Sequence, residues 1–189
     1  MLASITGEHQ PLDGSIRHPS RDAAQLLQPD TTLSQSPQEP ELSHPHRLVG
    51  YFPQWGTYGG YNVKNVITSG SAHRLTHLNY AFANVADNQC QSYDTWADFQ
   101  NPLPADQTVN GQADSQDPNA FVGNFHQLKE LKRRYPRLQI LISIGGGSSD
   151  PTAFSSAALP QNRKAFVKSC IDMFVRGNFA PGLHEPGIF

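Results

Sequence analysis

The stretch Leu138-Gln139-Ile140-Leu141-Ile142-Ser143-Ile144-Gly145-Gly146-Gly147 decides how the rest of the chain is read. It predicts a single strand. Leu138, Ile140, Ile142 and Ile144 share one side, and Gln139, Leu141 and Ser143 share the other. Apolar residues on both sides predict burial on both faces, as in a parallel sheet layered under helices. Ser143 is the polar exception and stands at the carboxyl end, where α/β sheets and barrels bind ligands. Glycines at that end let the backbone approach a neighbour or a ligand. By itself the stretch is equally compatible with an ordinary buried strand stopped by glycine.

Working outward, Pro160 to Arg176 reads as a helix with Pro160 in its first turn. Phe166, Cys170, Met173 and Phe174 form its apolar stripe, and Gly177 stops it. On the other side, Asn119 to Tyr135 is the clearest helix. Phe125, Leu128, Leu131 and Tyr135 recur at helical spacing, Lys129, Glu130, Lys132 and Arg133 form its wet side, and Pro136 ends it. Leu75 to Val85 predicts a second strand, with Tyr80 and Phe82 on one face near its end. Leu48 to Phe52 predicts a first, short strand stopped by Pro53. An aromatic, glycine-rich loop, Gln54 to Tyr61, follows it, and Asn62 to Ile67 reads as one or two helical turns capped by Asn62. Ala86 to Pro118 reads as a long polar loop carrying Tyr93, Trp96 and Phe99. A loop of that length is either a rim insertion packed on its own scaffold or a ligand contact. The alternation predicts parallel βα units, an α/β class.

Composition restricts function more than it assigns it. Of 189 residues, 37% are hydrophobic and 16% charged, which suits one globular domain, and the net charge is -2. No basic footprint of a nucleic-acid binder is present, and no apolar run approaches the roughly 20 residues that span a membrane. Met1-Leu2-Ala3-Ser4-Ile5 is too short for a signal-peptide core, so the sequence predicts no export signal. Cys90 and Cys170 allow at most one internal disulfide. Residues 1–46 hold six of the 15 prolines, among Ser, Gln, Asp and Thr, and predict a disordered tail or linker before a domain over 47–189.

Familiar chemistry is sparse. His73 and His77 are four apart, but the second begins a strand, so no metal set is expected. There is neither a Gly-x-Ser-x-Gly elbow nor a Gly-Lys-Ser/Thr phosphate loop, and Gly145 to Asp150 lacks the dinucleotide spacing. Glu185, between His184 and Pro186, reads as a solvated loop residue.

Three segments in order carry a resemblance. Leu141-Ile142-Ser143-Ile144-Gly145-Gly146 resembles the S-x-G-G strand of glycoside hydrolase family 18, the chitinases. Val49-Gly50-Tyr51-Phe52-Pro53-Gln54-Trp55-Gly56 resembles that family's first strand and loop, and Leu75 to Phe82 its second strand. Asp94 to Asp98 and Asn124 to Lys132 resemble its bacterial and fungal members. The resemblance implies the N-terminal portion, about three βα units, of a (β/α)8 TIM barrel. It implies retaining hydrolysis of β-1,4-linked N-acetylglucosamine, in which the substrate's N-acetyl oxygen attacks and a glutamate protonates the leaving oxygen.

That glutamate ends the family's fourth strand, in D-x-x-D-x-D-x-E. Gly187-Ile188-Phe189 resembles the residues just before it, so the catalytic acid is expected beyond Phe189 and the isolated chain is expected to be inactive. Many members carry Trp where this chain has Gly147. Carried over residue by residue, Tyr51 and Ser143 become hydroxyl donors that hold the motif's inner aspartate. Phe82 becomes part of the floor under the cleaved sugar, with Trp55, Tyr80, Gly145, Gly146 and Trp96 as further substrate-binding positions. Without the resemblance, Tyr51 and Phe82 read as barrel core, and Ser143 as bonded to its own backbone.

The resemblance further implies chitin or chito-oligosaccharides as partners, no cofactor, no metal, an extracellular location and a monomer when full length. A non-catalytic chitin-binding lectin of the same fold is the alternative, and an unrelated nucleotide-binding α/β domain a third. Against the third, Pro53-Gln54-Trp55-Gly56 stands where a glycine fingerprint would be needed.

Overall fold

A computed structural model describes residues 46–147 and 149–189. The expected tail over 1–46 lies, save His46, outside the described residues.

The centre is a parallel sheet. β1 (Val49–Pro53) pairs with β2 (His77–Ala86), and β2 pairs on its other side with β4 (Gln139–Ile144). The connections between them carry helices: α1 (Val63–Thr68) and α2 (Ser71–Arg74) after β1, and α3 (Gly123–Arg134) before β4. α4 (Pro151–Ala157) and α5 (Arg163–Cys170) follow, the latter prolonged by a wider turn over Ile171–Val175. β5 (Asn178–Ala180) and β6 (Leu183–His184) form a small hairpin. The alternation read from the sequence is therefore present, in an α/β arrangement with a parallel sheet.

Register sorts the residues by face. Phe52, Tyr80 and Ile142 lie side by side, as do Gly50, Leu78 and Ile140. This face meets Phe125, Leu128 and Leu131 of α3 and Phe166 and Phe174 in one buried cluster. Tyr80 stacks on Phe52 and meets Phe125 edge-on. Fully burying a side chain such as Leu128 contributes roughly 2 kcal/mol.

The opposite face departs from expectation. Tyr51, Asn79 and Leu141 lie side by side on it, and Tyr51 is 62% and Leu141 44% exposed. The helices cover one side of the sheet only, so the central strand is not buried on both faces among the described residues.

The expected loop from Ala86 to Pro118 forms regular structure only in its first part, a hairpin strand and a helical turn over Trp96–Gln100, and is loop from 101 to 118. Asp87 and Asn88 have φ of 52° and 58°, the left-handed pair that a two-residue hairpin turn needs, and they return the chain as β3 (Gln89–Ser92) against β2. Beyond it, the buried Asp114 carboxylate accepts the Leu103 N–H at 3.1 Å and the Gln127 Nε2–H at 3.0 Å, and lies 2.8 Å from His126 Nδ1. Gln127 in turn accepts the Val109 N–H at 2.7 Å. Asp114 of the loop itself and Gln127 of α3 thus supply the backbone partners that strand pairing supplies elsewhere.

Smaller differences have local causes. Pro160 lies in the turn before α5, which begins at Arg163, so it is not in the helix's first turn. The apolar stripe falls where expected, and Gly177, with φ of 77°, ends the helical segment. α4 escaped the sequence reading, although Asp150 caps it through the Thr152 N–H at 2.8 Å and Pro151 opens it. Glu185 is not simply solvated, since it accepts from Lys129 at 2.6 Å in a half-buried pair. A disulfide joins Cys90 of β3 to Cys170 of α5 across a sequence separation of 80.

Candidate functional site

The carboxyl ends of β1, β2 and β4 converge with β3. A cleft of about 470 Å³ opens there, lined by Gln54, Trp55, Phe82, Ser92, Tyr93, Asp94 and Thr95. Its aromatic wall follows from a sheet irregularity. Ala81 pairs with Ser143, but Ala83, not Phe82, pairs with Ile144. The extra residue puts Ala83 on the core side and leaves Phe82 facing the cleft. There its ring stacks on Trp55, centroids 6.1 Å apart and planes 25° apart.

Gly146 forms the third side of this contact. A Cβ on Gly146 would stand 2.9 Å from the Phe82 ring, and the residue has φ of 116°. Here glycine is needed both for backbone conformation and for close approach. Gly145, with φ of 102°, has open space where a Cβ would go, and its N–H donates to the Ala83 carbonyl at 2.9 Å.

Below the cleft lies a group that the sequence reading did not single out. Asp98, 1% exposed, accepts from Gln54 Nε2 at 2.5 Å, from the Tyr80 hydroxyl at 2.5 Å and from the Ser92 hydroxyl. Asn124 Nδ2 donates to the Tyr80 oxygen at 3.0 Å and to the Gln54 carbonyl at 3.1 Å. Burial pushes the Asp98 carboxyl up to about 6, against the pull of its hydrogen-bond donors. Asp94, on the rim, accepts from the Tyr58 hydroxyl at 2.6 Å and from the N–H groups of Trp96 and Ala97. That hydrogen bond raises the Tyr58 phenol to about 12.

The expected site residues divide accordingly. Trp55, Phe82 and Gly146 come together. Tyr51 and Ser143 share the uncovered face of the sheet, Ser143 at its carboxyl end beside Gly145. Tyr80 does not belong with them: it is fully buried on the opposite face and bonded to Asp98 and Asn124, so no sugar ring can reach it. Strict alternation puts Tyr80 and Phe82 together, and the bulge separates them. Trp96 is 51% exposed and stands outside the cleft lining, although its neighbour Thr95 belongs to it. Tyr93, read as either rim packing or a ligand contact, lines the cleft, whereas Gln54, Ser92 and Asp94 were missed, the last two because the hairpin that brings them to the cleft was read as loop. The Asp87-Asn88 pair was the available signal.

Residues 47–181 match the model of the glycosyl hydrolases family 18. The chain is 47% identical over 126 residues to chitinase C of Streptomyces lividans, covering 66% of this chain and 20% of that protein. Chitinase 63 of Streptomyces plicatus is 44% identical over the same length and coverage. Among solved structures, the catalytic domain of psychrophilic chitinase B from Arthrobacter TAD20 superposes with a TM-score of 0.69 at 36% identity, over 76% of this chain and 38% of that one. The chain thus spans about a fifth of the length of these curated relatives. Relatives of this kind do not favour the lectin alternative.

Proposed function

Because this chain belongs to glycosyl hydrolase family 18, we propose that it forms the first βα units of a (β/α)8 barrel and one wall of a chitin-hydrolysing cleft. The observation that carries the reading is the stacked Trp55–Phe82 pair in the cleft at the carboxyl end of the parallel strands. Sugar rings present apolar C–H faces, which aromatic platforms bind, and the rim polar groups Ser92 and Asp94 suit hydroxyl and amide recognition.

Tyr51 and Ser143 take the supporting role. A carboxylate that orients the substrate's acetamido group must itself be held, and two neutral hydroxyls on one sheet face can hold it. The uncovered face supports the barrel reading. It carries exposed Tyr51 and Leu141, and between them the buried Asn79 Oδ1 has no partner among the described residues. In a closed barrel this face turns inward and is filled by the other strands. The glutamate that protonates the leaving oxygen is then supplied by a following strand, and the 189 residues alone are inactive. The Cys90–Cys170 disulfide supports an extracellular location, where such bonds persist.

The test is hydrolysis of a fluorogenic chito-oligosaccharide by this segment within a barrel that includes the following strands, with and without Trp55→Ala. A rise of about fivefold or more in KM is expected from losing one aromatic platform. An unchanged KM refutes the cleft assignment, and turnover by the isolated 189 residues refutes the division of labour.

A further inference from the structure

The cleft's lining is tied to a single buried anion. Gln54 follows β1, Tyr80 belongs to β2 and Ser92 ends β3, and each donates to the carboxylate of Asp98. Gln54 and Ser92 also line the cleft, and Trp55 is the next residue after Gln54. One carboxylate therefore holds the cleft's back wall and the base of its aromatic wall from behind.

We propose that Asp98 is a positioning residue whose negative charge sets the shape of the cleft, so that ligand affinity depends on its ionisation. The ligand named is the chito-oligosaccharide of the preceding section, and that part rests on the reading given there. An ionised carboxylate has acceptors for all three donors. A protonated one must turn one hydroxyl contact round, with Asp98 donating to Ser92 or Tyr80, or give up a bond, so the arrangement of donors behind the wall changes. Other titratable groups face this wall as well. Tyr80 faces it from β2 and is itself held protonated by burial and by Asp98. Asp94 approaches from the turn before it, with Tyr58 bonded to Asp94 from the β1 loop. α3 contributes the neutral amide of Asn124. Among the described residues no Lys, Arg or His forms an ion pair with Asp98.

The experiment needs a readout free of sugar. In a Trp96→Phe background, Trp55 reports the cleft wall by its emission, followed from pH 8 to 4.5, with circular dichroism showing the fold intact. The emission should change sigmoidally with a midpoint near 6. Asp98→Asn should abolish the change. Ser92→Ala, which removes a donor favouring the anion, should move the midpoint upward, a shift that a merely structural role would not produce. Affinity for N-acetylglucosamine tetramer should fall roughly three- to tenfold over the same range, the worth of one ordinary hydrogen bond in the wall.

Emission that stays flat with the protein folded, or the same midpoint in Asp98→Asn, overturns the proposal. If Asp98→Asn does not fold, the Ser92→Ala midpoint decides alone, and an unmoved midpoint overturns it. Emission that titrates as expected without sugar binding upholds the positioning role and refutes the sugar reading of the cleft.

Discussion

Replacing Gly146 with alanine should damage the protein in two separable ways. The first is conformational: φ of 116° is a region that L side chains rarely adopt, and forcing one there costs about 1–3 kcal/mol. The second is steric: the new Cβ would stand 2.9, 3.0 and 3.1 Å from three carbons of the Phe82 ring, which is itself backed by Trp55. Moving that ring aside is an overpacking cost of about 1–3 kcal/mol. Gly145→Ala is the internal control. Its φ of 102° brings a comparable backbone cost, but nothing lies within 4 Å of the added carbon. Equilibrium urea unfolding should therefore show Gly146→Ala less stable than Gly145→Ala by about 1–3 kcal/mol. Adding Phe82→Ala should recover most of that difference, because the two residues share the clash. The same displacement unstacks Phe82 from Trp55, so oligosaccharide affinity should fall roughly fivefold in Gly146→Ala and much less in Gly145→Ala. Equal destabilisation by the two alanines, or strictly additive costs with Phe82→Ala, would refute the packing argument.

Within a barrel completed by the following strands, Ser143→Ala and Tyr51→Phe should each lower kcat roughly tenfold to a hundredfold with KM little changed, the worth of one donor to a charged acceptor. A double-mutant cycle on kcat should be non-additive if both donors share one carboxylate, and wild-type kcat in both singles would reduce them to packing. Replacing Cys90 and Cys170 together by alanine should cost about 4.5 kcal/mol, the entropy of opening a loop of about 80 residues, and a loss under 1 kcal/mol in denaturant melts would sink that account. The pH dependence of stability carries Asp98's signature. Its carboxyl titrates near 3.8 when unfolded and about 6 when folded, so the folded state binds the extra proton between those values. Stability should thus rise as pH falls from 7 to 4, by up to about 3 kcal/mol from this group, and Asp98→Asn should lack that component. A wild-type and variant difference that is constant across this range would contradict it.

What the sequence determined by itself was whatever depends on local periodicity and local backbone chemistry. Helical spacing of Phe125, Leu128 and Leu131, the stop at Pro136 and the glycine after Arg176 were legible because each acts within a turn or two. The strand after Pro136 was legible for the same reason, and its motif pointed to the family. Tertiary structure decided what depends on pairing between distant segments. Whether Leu141 is covered follows from which helices pack on the sheet. Whether Tyr80 or Phe82 faces the cleft follows from one bulge against β4. Whether Asp98 is a solvated loop acid or a buried anchor follows from three donors that lie 44, 18 and 6 residues away in the chain. Nothing in the composition around Asp98 records those partners, because a carboxylate is buried only when the fold supplies its hydrogen bonds.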